Sequence, residues 1–148
     1  MVKLSKIKKK MNYKIIGKYI KDLNFNIPNP KTFFLLSKDI SNYKVNIDIK
    51  SNQIKDKIIE VQTSLSLSSE NKELEKINTK IIFSAVIELT KNIDEKTELE
   101  KIILITVPND IYSELRKIFI FIFESSGFKD IKINEKVDFQ KLYYMRKN

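Results

Sequence analysis

Carboxylates and hydroxyls are the side chains of this sequence that could do chemistry, because it contains no histidine and no cysteine. Without imidazole or thiol groups, no Ser-His or Cys-His nucleophile pair can form, and the usual soft-metal ligands are missing. Glu98 and Glu100 could act as a general acid and base, but acids spaced in this way are more typical of a solvated helix face. The two glycines, Gly17 and Gly127, cannot form a glycine-rich phosphate loop. The sequence therefore predicts no enzyme activity, no cofactor and no metal site.

The length and composition favour one domain in a reducing compartment. A chain of 148 residues can bury roughly 70% of its unfolded surface in a single core. No apolar run has the length of a membrane span or the flanks of a signal sequence, so we expect no direct membrane insertion. The absence of cysteine fits a cytoplasmic location.

The formal charge of +9 invites a nucleic-acid interpretation. Only Arg116 and Arg146 are arginines, however, so the side chains that pair bidentately with bases and phosphates are nearly absent. We expect the lysines to form a solvated surface and predict no nucleic-acid partner. Five of them lie in the first ten residues. We interpret residues 1–11 as a basic disordered lead, or as a misassigned start with translation beginning at Met11, and 12–148 as a single domain.

Four stretches that could position a site alternate apolar and polar residues, which is the period of a half-buried strand. They span residues 19–27, 43–50, 59–67 and 74–88. Short polar breaks at 51–53 and 68–71 favour an antiparallel meander of the last three strands, with one face in solvent.

The first of these strands ends at two prolines. One side of the strand is apolar and predicted to face the core, and it comprises Leu23, Phe25 and Ile27. The opposite side is polar and comprises Asp22, Asn24 and Asn26. Because Pro28 and Pro30 cannot donate to a sheet, the chain should leave it as a stiff extended segment. The connection that follows is too long and too apolar for a hairpin turn, and such connections are commonly functional.

The C-terminal third predicts two helices. Residues 102–105 form a short buried run that ends before Pro108. Asn109 or Asp110 would then cap a long helix. A second, short helix would begin at Asp138.

The long helix is too apolar for the surface of a monomer. From 118 to 123 all six residues are large and apolar, so every side of this turn would be buried. A two-layer α+β domain buries only one side of its helix. We therefore expect an interface between subunits that contains Ile118, Phe119, Ile122 and Phe123.

Three stretches of the chain share the order and spacing of one known family. They are YIKDLNFNIPNP at 19–30, LEKIILITVPNDIYSELRKI at 99–118 and SSGFKDIKINEKVDFQKLYY at 125–144. The first is similar to a first-strand motif through Tyr19, Lys21, Asp22, Phe25, Pro28 and Asn29. The second contains the family's aliphatic run, proline and long helix, and the third its C-terminal end. Together they resemble the SecB protein-export chaperones over most of the chain.

The resemblance implies an α+β fold, in which a four-stranded antiparallel sheet with a long crossover after strand 1 packs with one long and one short C-terminal helix. It also implies a homotetramer, assembled as a dimer of dimers. Family members hold unfolded secretory preproteins in apolar grooves without ATP and deliver them to the SecA motor. The groove positions carried over lie in the crossover and the last helix: Phe33, Phe34, Leu35, Phe139, Leu142 and Tyr143. Asp22 matches an acid through which the family binds SecA.

Departures from the family pattern leave two other hypotheses open. Asn26 stands where a second acid is common, Lys76 lies near the expected position of another, and the chain ends without an acidic tail. A SecB-like chaperone of a toxin-antitoxin pair is therefore the second hypothesis. A basic oligomeric nucleic-acid-binding module is the third, because of the positive net charge.

Overall fold

The computed structural model describes residues 12–40, 43–68, 78–129 and 131–147. Four antiparallel strands lie in the spatial order β1-β4-β3-β2: β1 (Tyr13–Asn26), β2 (Lys44–Lys55), β3 (Ile58–Ser68) and β4 (Asn78–Leu89). The helical segments are α1 (Pro30–Asp39), α2 (Lys96–Lys101), a π-helical turn (Ile102–Thr106), α3 (Val107–Ser125) and α4 (Phe139–Lys147). The predicted α+β fold is confirmed. The expected lead at 1–11 and the start of the fourth predicted strand lie outside the described residues.

β1 contains two β-bulges, one near Gly17 and one between Ile20 and Asp22. Each bulge adds an unpaired residue and reverses the side that the following residues face. After the second bulge, Asp22 points away from the helices, as predicted, while Leu23 and Phe25 point toward them. The prediction that Leu23 lies in the core is wrong, because this side chain is 42% exposed on an edge strand that α3 covers only partly.

The hairpin between β2 and β3 turns at Asp56 and Lys57, not at residues 51–53 as predicted. Lys57 has a φ of 64°, a left-handed conformation that the second central residue of a tight turn can require. Residues 51–53 continue β2, which is an edge strand whose exposed end can be polar without ending the ladder. The polar run that resembled a turn is the solvated end of a strand.

The crossover after β1 contains a helix, α1, that is not among the predicted elements. Pro30 lies in the first turn of α1, and the Asn29 side chain caps it by accepting a hydrogen bond from the Thr32 backbone N–H at 2.8 Å. Leu36 faces the core and is fully buried. The Asn-Pro pair that ends the strand therefore also begins a helix.

The predicted break between the apolar run and the long helix is a π-helical turn inside one continuous helical stretch. The Val107 N–H donates to the Ile102 carbonyl, five residues earlier. Pro108 follows in the first turn of α3. A proline ring clashes with the preceding turn of a regular α-helix, so the wider turn gives it room. None of the described helices is long and apolar enough to cross a membrane.

The predicted cap at Asn109 or Asp110 is wrong, because both residues lie inside α3. Asp110 instead accepts a hydrogen bond from the Tyr13 hydroxyl of β1. Burial, assisted by this hydrogen bond, raises the pKa of Tyr13. The neutral phenol therefore joins the start of β1 to the first turn of α3.

The core lies between α3 and one side of the sheet, which we call the inner face; the other side is the outer face. The buried side of α3 presents Val107, Ile111, Leu115, Phe119 and Phe123. The inner face of β3 and β4 presents Val61, Leu65, Ile81, Ala85 and Ile87. Phe123 also meets Phe25 of β1, with ring centroids 5.1 Å apart.

Candidate functional site

The inner side of β2 is only partly covered, and two clefts open along it. We call the first the α4 cleft. It has a volume of about 260 Å³ and is mainly apolar. It is lined by β2, the π-helical turn and α4 through Ile47, Ile49, Leu104, Leu142, Tyr143, Met145 and Arg146.

The second cleft, which we call the Tyr112 cleft, has a volume of about 270 Å³. Its lining residues are Tyr43, Lys44, Val45, Ile47, Tyr112, Lys132, Ile133, Asn134 and Val137. Its far wall is held to α3 by two hydrogen bonds. The Tyr112 hydroxyl donates to the Asn134 carbonyl at 2.7 Å, and Arg116 Nε donates to the Ile133 carbonyl at 3.1 Å. Burial raises the pKa of Tyr112, partly offset by the Arg116 charge, so the hydroxyl stays a donor.

Ile47 lines both clefts, so together they form one groove along the strand, which we call the β2 groove. From Val45 to Ile49 the strand rises by about 13 Å. A segment of about four or five extended residues therefore spans the groove.

α4 closes one side of this groove and is attached by polar contacts. The Tyr143 hydroxyl donates to Glu100 at 2.9 Å, and Arg146 Nη2 donates to Asp48 at 3.1 Å. The Asp138 side chain caps the helix, as predicted, by accepting from the Lys141 backbone N–H at 2.9 Å. The helix that carries half of the predicted groove residues is therefore fixed at both of its ends.

The predicted groove residues of α4 differ in exposure. Leu142 is 39% exposed in the α4 cleft. Tyr143 also lines that cleft but is nearly buried. Phe139 is buried against Tyr112, with ring centroids 5.9 Å apart, and lines neither cleft. Leu142 is thus the most accessible of the three.

The predicted groove residues of the crossover lie on α1. Phe33 is half-buried and packs against Phe128, with ring centroids 4.9 Å apart. Phe34 is 64% exposed, and Leu35 is also exposed. Gly127 has a φ of 98°, and a side chain added there would meet the Phe33 ring at 3.1 Å. The end of α3 is therefore shaped around the start of α1.

The structure does not bring the two predicted halves of the groove into contact. α1 packs near Phe128, which also touches Phe123 at the end of α3. α4 packs near Tyr112, about 16 Å away along the helix at 1.5 Å per residue. Tyr43 follows the end of α1 and lines the Tyr112 cleft. The β2 groove thus lies between the end of α1 and α4.

A second apolar surface, which we call the α3 patch, lies at the β1 edge. It comprises Ile20, Leu23, Ile118, Phe121 and Ile122, with Lys117 beside them. Phe121 is 69% exposed, whereas Phe119 and Phe123 are 0% exposed within the single chain. Of the four residues expected in a subunit interface, the patch contains Ile118 and Ile122.

On the outer face, Asp22 is exposed and is the carboxylate of β1. The Asn24 amide donates to it at 3.1 Å. Asn24 pairs across the ladder with Lys80 of β4, and Asp22 pairs with Ile82, so the lysine lies diagonally across from the acid. The negative charge of Asp22 is therefore partly compensated by Lys80 on the outer face.

The other acid at the centre of the outer face is the buried Glu60 of β3. Its carboxylate accepts hydrogen bonds from the Tyr19 hydroxyl, from Ser84 at 2.7 Å, from Lys21 at 3.0 Å and from Gln62 at 3.0 Å. The Tyr19 and Ser84 hydrogen bonds contribute most to lowering the pKa of Glu60 to about 2, against the opposing effect of burial. This carboxylate joins β1, β3 and β4.

A family model described as preprotein translocase subunit SecB matches residues 6–148 of this chain. The chain belongs to the SecB family. A Pelagibacter ubique protein assigned to SecB is 42% identical over 137 residues, which cover 93% of this chain and 98% of the relative. The protein-export protein SecB of Anaplasma phagocytophilum is 24% identical over 142 residues, covering 88% of this chain and 89% of the relative.

The fold agrees with this assignment. A Mycobacterium tuberculosis SecB-like chaperone was solved in complex with a ChAD peptide from the HigA1 antitoxin. It superimposes on this chain with a TM-score of 0.58 at 11% sequence identity, and the match covers 90% of this chain and 93% of that one. This SecB-family chain is a chaperone in protein export. The family consists of chaperones and is not known for enzyme activity.

In this SecB-family chain, the β2 half of the groove and the most exposed residue of the α3 patch were not predicted from the sequence. Ile47 and Ile49 belong to the stretch 43–50, whose alternation predicts a half-buried strand, and nothing in that alternation shows that the helices leave these two residues partly open. Phe121 lies in a wholly apolar run. Its neighbours Leu115, Phe119 and Phe123 recur at intervals of four, a spacing that does predict which side of the helix is buried.

Proposed function

We propose that this SecB-family chaperone is an ATP-independent holdase that binds unfolded secretory preproteins in the β2 groove and delivers them to SecA. The observation that carries the proposal is the pair of adjoining clefts that share Ile47. Burying about 100 Å² of apolar area contributes about 2.5 kcal/mol, with little demand on sequence. Several such contacts along one client add through effective concentration, while each can release locally. Since a holdase must act before export, the proposal includes a cytoplasmic location.

The test is suppression of the aggregation of an unfolded precursor without ATP, followed by light scattering. We compare Leu142→Asn, in the α4 cleft, with Ile54→Asn, an exposed position of β2 outside both clefts. Leu142→Asn should weaken the suppression several-fold, and Ile54→Asn should leave it near that of the unchanged protein. Equal activity of both variants would contradict a client site in the groove, and no suppression by the unchanged protein would contradict the holdase itself.

We further propose that the protein assembles as a homotetramer through the α3 patch. A contiguous apolar surface on a soluble chain marks an interaction site. The aromatic ring of Phe121 is its most exposed part. Phe121→Ser should lower the mass measured by light scattering at micromolar concentration, whereas Phe34→Ser, an equally exposed ring on α1, should not. A monomeric unchanged protein would overturn the proposal.

Docking to SecA is proposed to use Asp22 on the outer face. The support is that Asp22 is exposed on a strand whose opposite side packs against α3, so it can be contacted without disturbing the groove. Asp22→Ala should weaken SecA binding and leave client holding intact. Asp94→Ala, an exposed acid in the loop after β4, is the matched control. Equal loss of both activities in Asp22→Ala would indicate a structural role.

A second candidate client is an antitoxin. The relevant observation is the Mycobacterium tuberculosis neighbour, which was solved with an antitoxin peptide. A direct comparison would measure the binding of an unfolded precursor and of an antitoxin tail to this protein. Tighter binding of the tail, together with absent SecA binding, would favour this candidate over protein export.

A further inference from the structure

We propose that the β2 groove selects client segments whose apolar side chains are flanked by acidic residues. This inference rests on the proposed holdase function and specifies its substrate class. The observation behind it is the charge of the lining. Among the described residues, three cations line the two clefts, Lys44, Lys132 and Arg146, and none of the lining residues is acidic.

Both lysines line the Tyr112 cleft, Lys132 from its far wall and Lys44 from the end of the edge strand β2, where the register gives Lys44 the same outward orientation as Asp48. Lys44 is the first residue of β2, and Lys132 lies in the segment that forms the far wall. Both are exposed, and neither takes part in an ion pair with a described residue. A client segment that enters the cleft therefore passes two positive charges at its rim.

Three of the nearby acids are already engaged, and a fourth, Glu135, is exposed in the segment of the far wall but lines neither cleft. Asp48 points to the outer face and pairs with Arg146 at 3.1 Å, Glu100 accepts from Tyr143, and Asp138 caps α4. Arg146 is therefore partly neutralised, and the uncompensated charge of the groove is that of the Tyr112 cleft. Electrostatic complementarity of this kind favours acidic partners and disfavours basic ones.

A peptide segment fits this site better than a nucleic acid. The cleft that the lysines border also contains the aliphatic side chains of Val45, Ile133 and Val137, and it continues into the mainly apolar α4 cleft. An acidic peptide can fill such clefts and pair with the lysines, whereas a phosphate backbone would leave the apolar lining uncovered.

The experiment measures the fluorescence anisotropy of three labelled peptides on the full chain. They share one apolar core and differ only in flanking residues, which are Glu, Gln or Lys. At about 50 mM salt we expect the Glu peptide to bind about fivefold tighter than the Lys peptide, with the Gln peptide between them. At about 0.5 M salt this ratio should fall below about twofold, because exposed charges are screened.

The double variant Lys44→Gln with Lys132→Gln should abolish the preference and keep the affinity for the Gln peptide. Its matched control is Lys50→Gln with Lys80→Gln, which removes the same charge from a concavity on the outer face and should keep the preference. Equal affinity of the unchanged protein for Glu and Lys peptides would overturn the inference alone. Failure to bind any of the peptides would overturn the holdase proposal with it. Displacement of the Glu peptide by a single-stranded oligonucleotide, independent of the apolar core, would assign the lysines to nucleic acid instead.

Discussion

On the inner face of the sheet, Thr63 and Thr79 are buried with hydroxyls that bond no described residue, whereas on the outer face the buried Glu60 carboxylate accepts hydrogen bonds from four side chains. The inner face also receives the aromatic cluster of Phe25, Phe119 and Phe123. The outer face has no helix over it among the described residues.

The two faces of the sheet are stabilised in different ways. Burial of apolar area stabilises the inner face strongly enough to tolerate two unpaired hydroxyls. On the outer face little apolar area is buried, so a shielded charge persists there only because its neighbours pair with it. Mutations on the two faces should therefore lower the free energy of unfolding for different reasons, and these reasons can be measured separately.

The largest effect is expected on the inner face. Phe123→Ala removes a fully buried ring that contacts Phe25, Phe119 and Phe128, and should lower the free energy of unfolding by about 3–5 kcal/mol. Urea denaturation followed by circular dichroism measures this change. Phe34→Ala removes the same ring from an exposed position and should cost less than about 0.5 kcal/mol. Similar losses for both would show that the cluster is not the main source of stability.

Much of the fold could be predicted from the sequence, and the errors have physical causes. Period-two alternation located all four strands because one face of the sheet is buried and the other is polar. The β2 hairpin was misplaced because polar residues on an edge strand resemble a turn. α1 was missed because Asn29-Pro30 was read only as the end of a strand, although the same pair caps a helix.

The next effect is on the outer face. Glu60→Gln keeps the shape of the side chain but removes the charge that Lys21 pairs with. It also replaces one of the two acceptor oxygens, of which one accepts from Tyr19 and Ser84 and the other from Gln62, with a donor. We expect a loss of about 1–3 kcal/mol in the free energy of unfolding. Glu88→Gln, which removes an exposed acid paired with Lys14 on the same face, should cost less than about 1 kcal/mol. Equal costs would indicate that burial of Glu60 is unimportant.

The same carboxylate predicts how stability depends on pH. In the folded protein the pKa of Glu60 is lowered to about 2 from its usual 4.5. The unfolded chain binds this proton at the higher pH, so the stabilisation is complete above about pH 4.5 and is lost as the pH falls toward 2. The stability gap between the unchanged protein and Glu60→Gln should therefore narrow over this range in urea titrations. A gap that stays constant would mean that the charge of Glu60 contributes nothing.

The candidate site was less predictable than the fold. Leu142, Tyr143 and Asp22 came from resemblance to a family, and the residues alone did not identify them. The β2 groove depends on how far α3 and α4 reach over Ile47, which is a property of packing that no local pattern contains. Lys44 and Lys132 line the same cleft but are far apart in sequence, so no local pattern predicts that they come together.

The smallest effect tests the unpaired hydroxyls of the inner face. Thr63 lies on β3 opposite Phe83 and is fully buried. Valine has nearly the same shape, so Thr63→Val should raise the free energy of unfolding by about 1 kcal/mol by removing the cost of burying an unpaired hydroxyl. Thr90→Val, at an exposed position after β4, should change it by less than about 0.5 kcal/mol. Destabilisation by Thr63→Val would mean that a buried water pairs with the hydroxyl. Buried polar groups would then be hydrogen-bonded on both faces of the sheet.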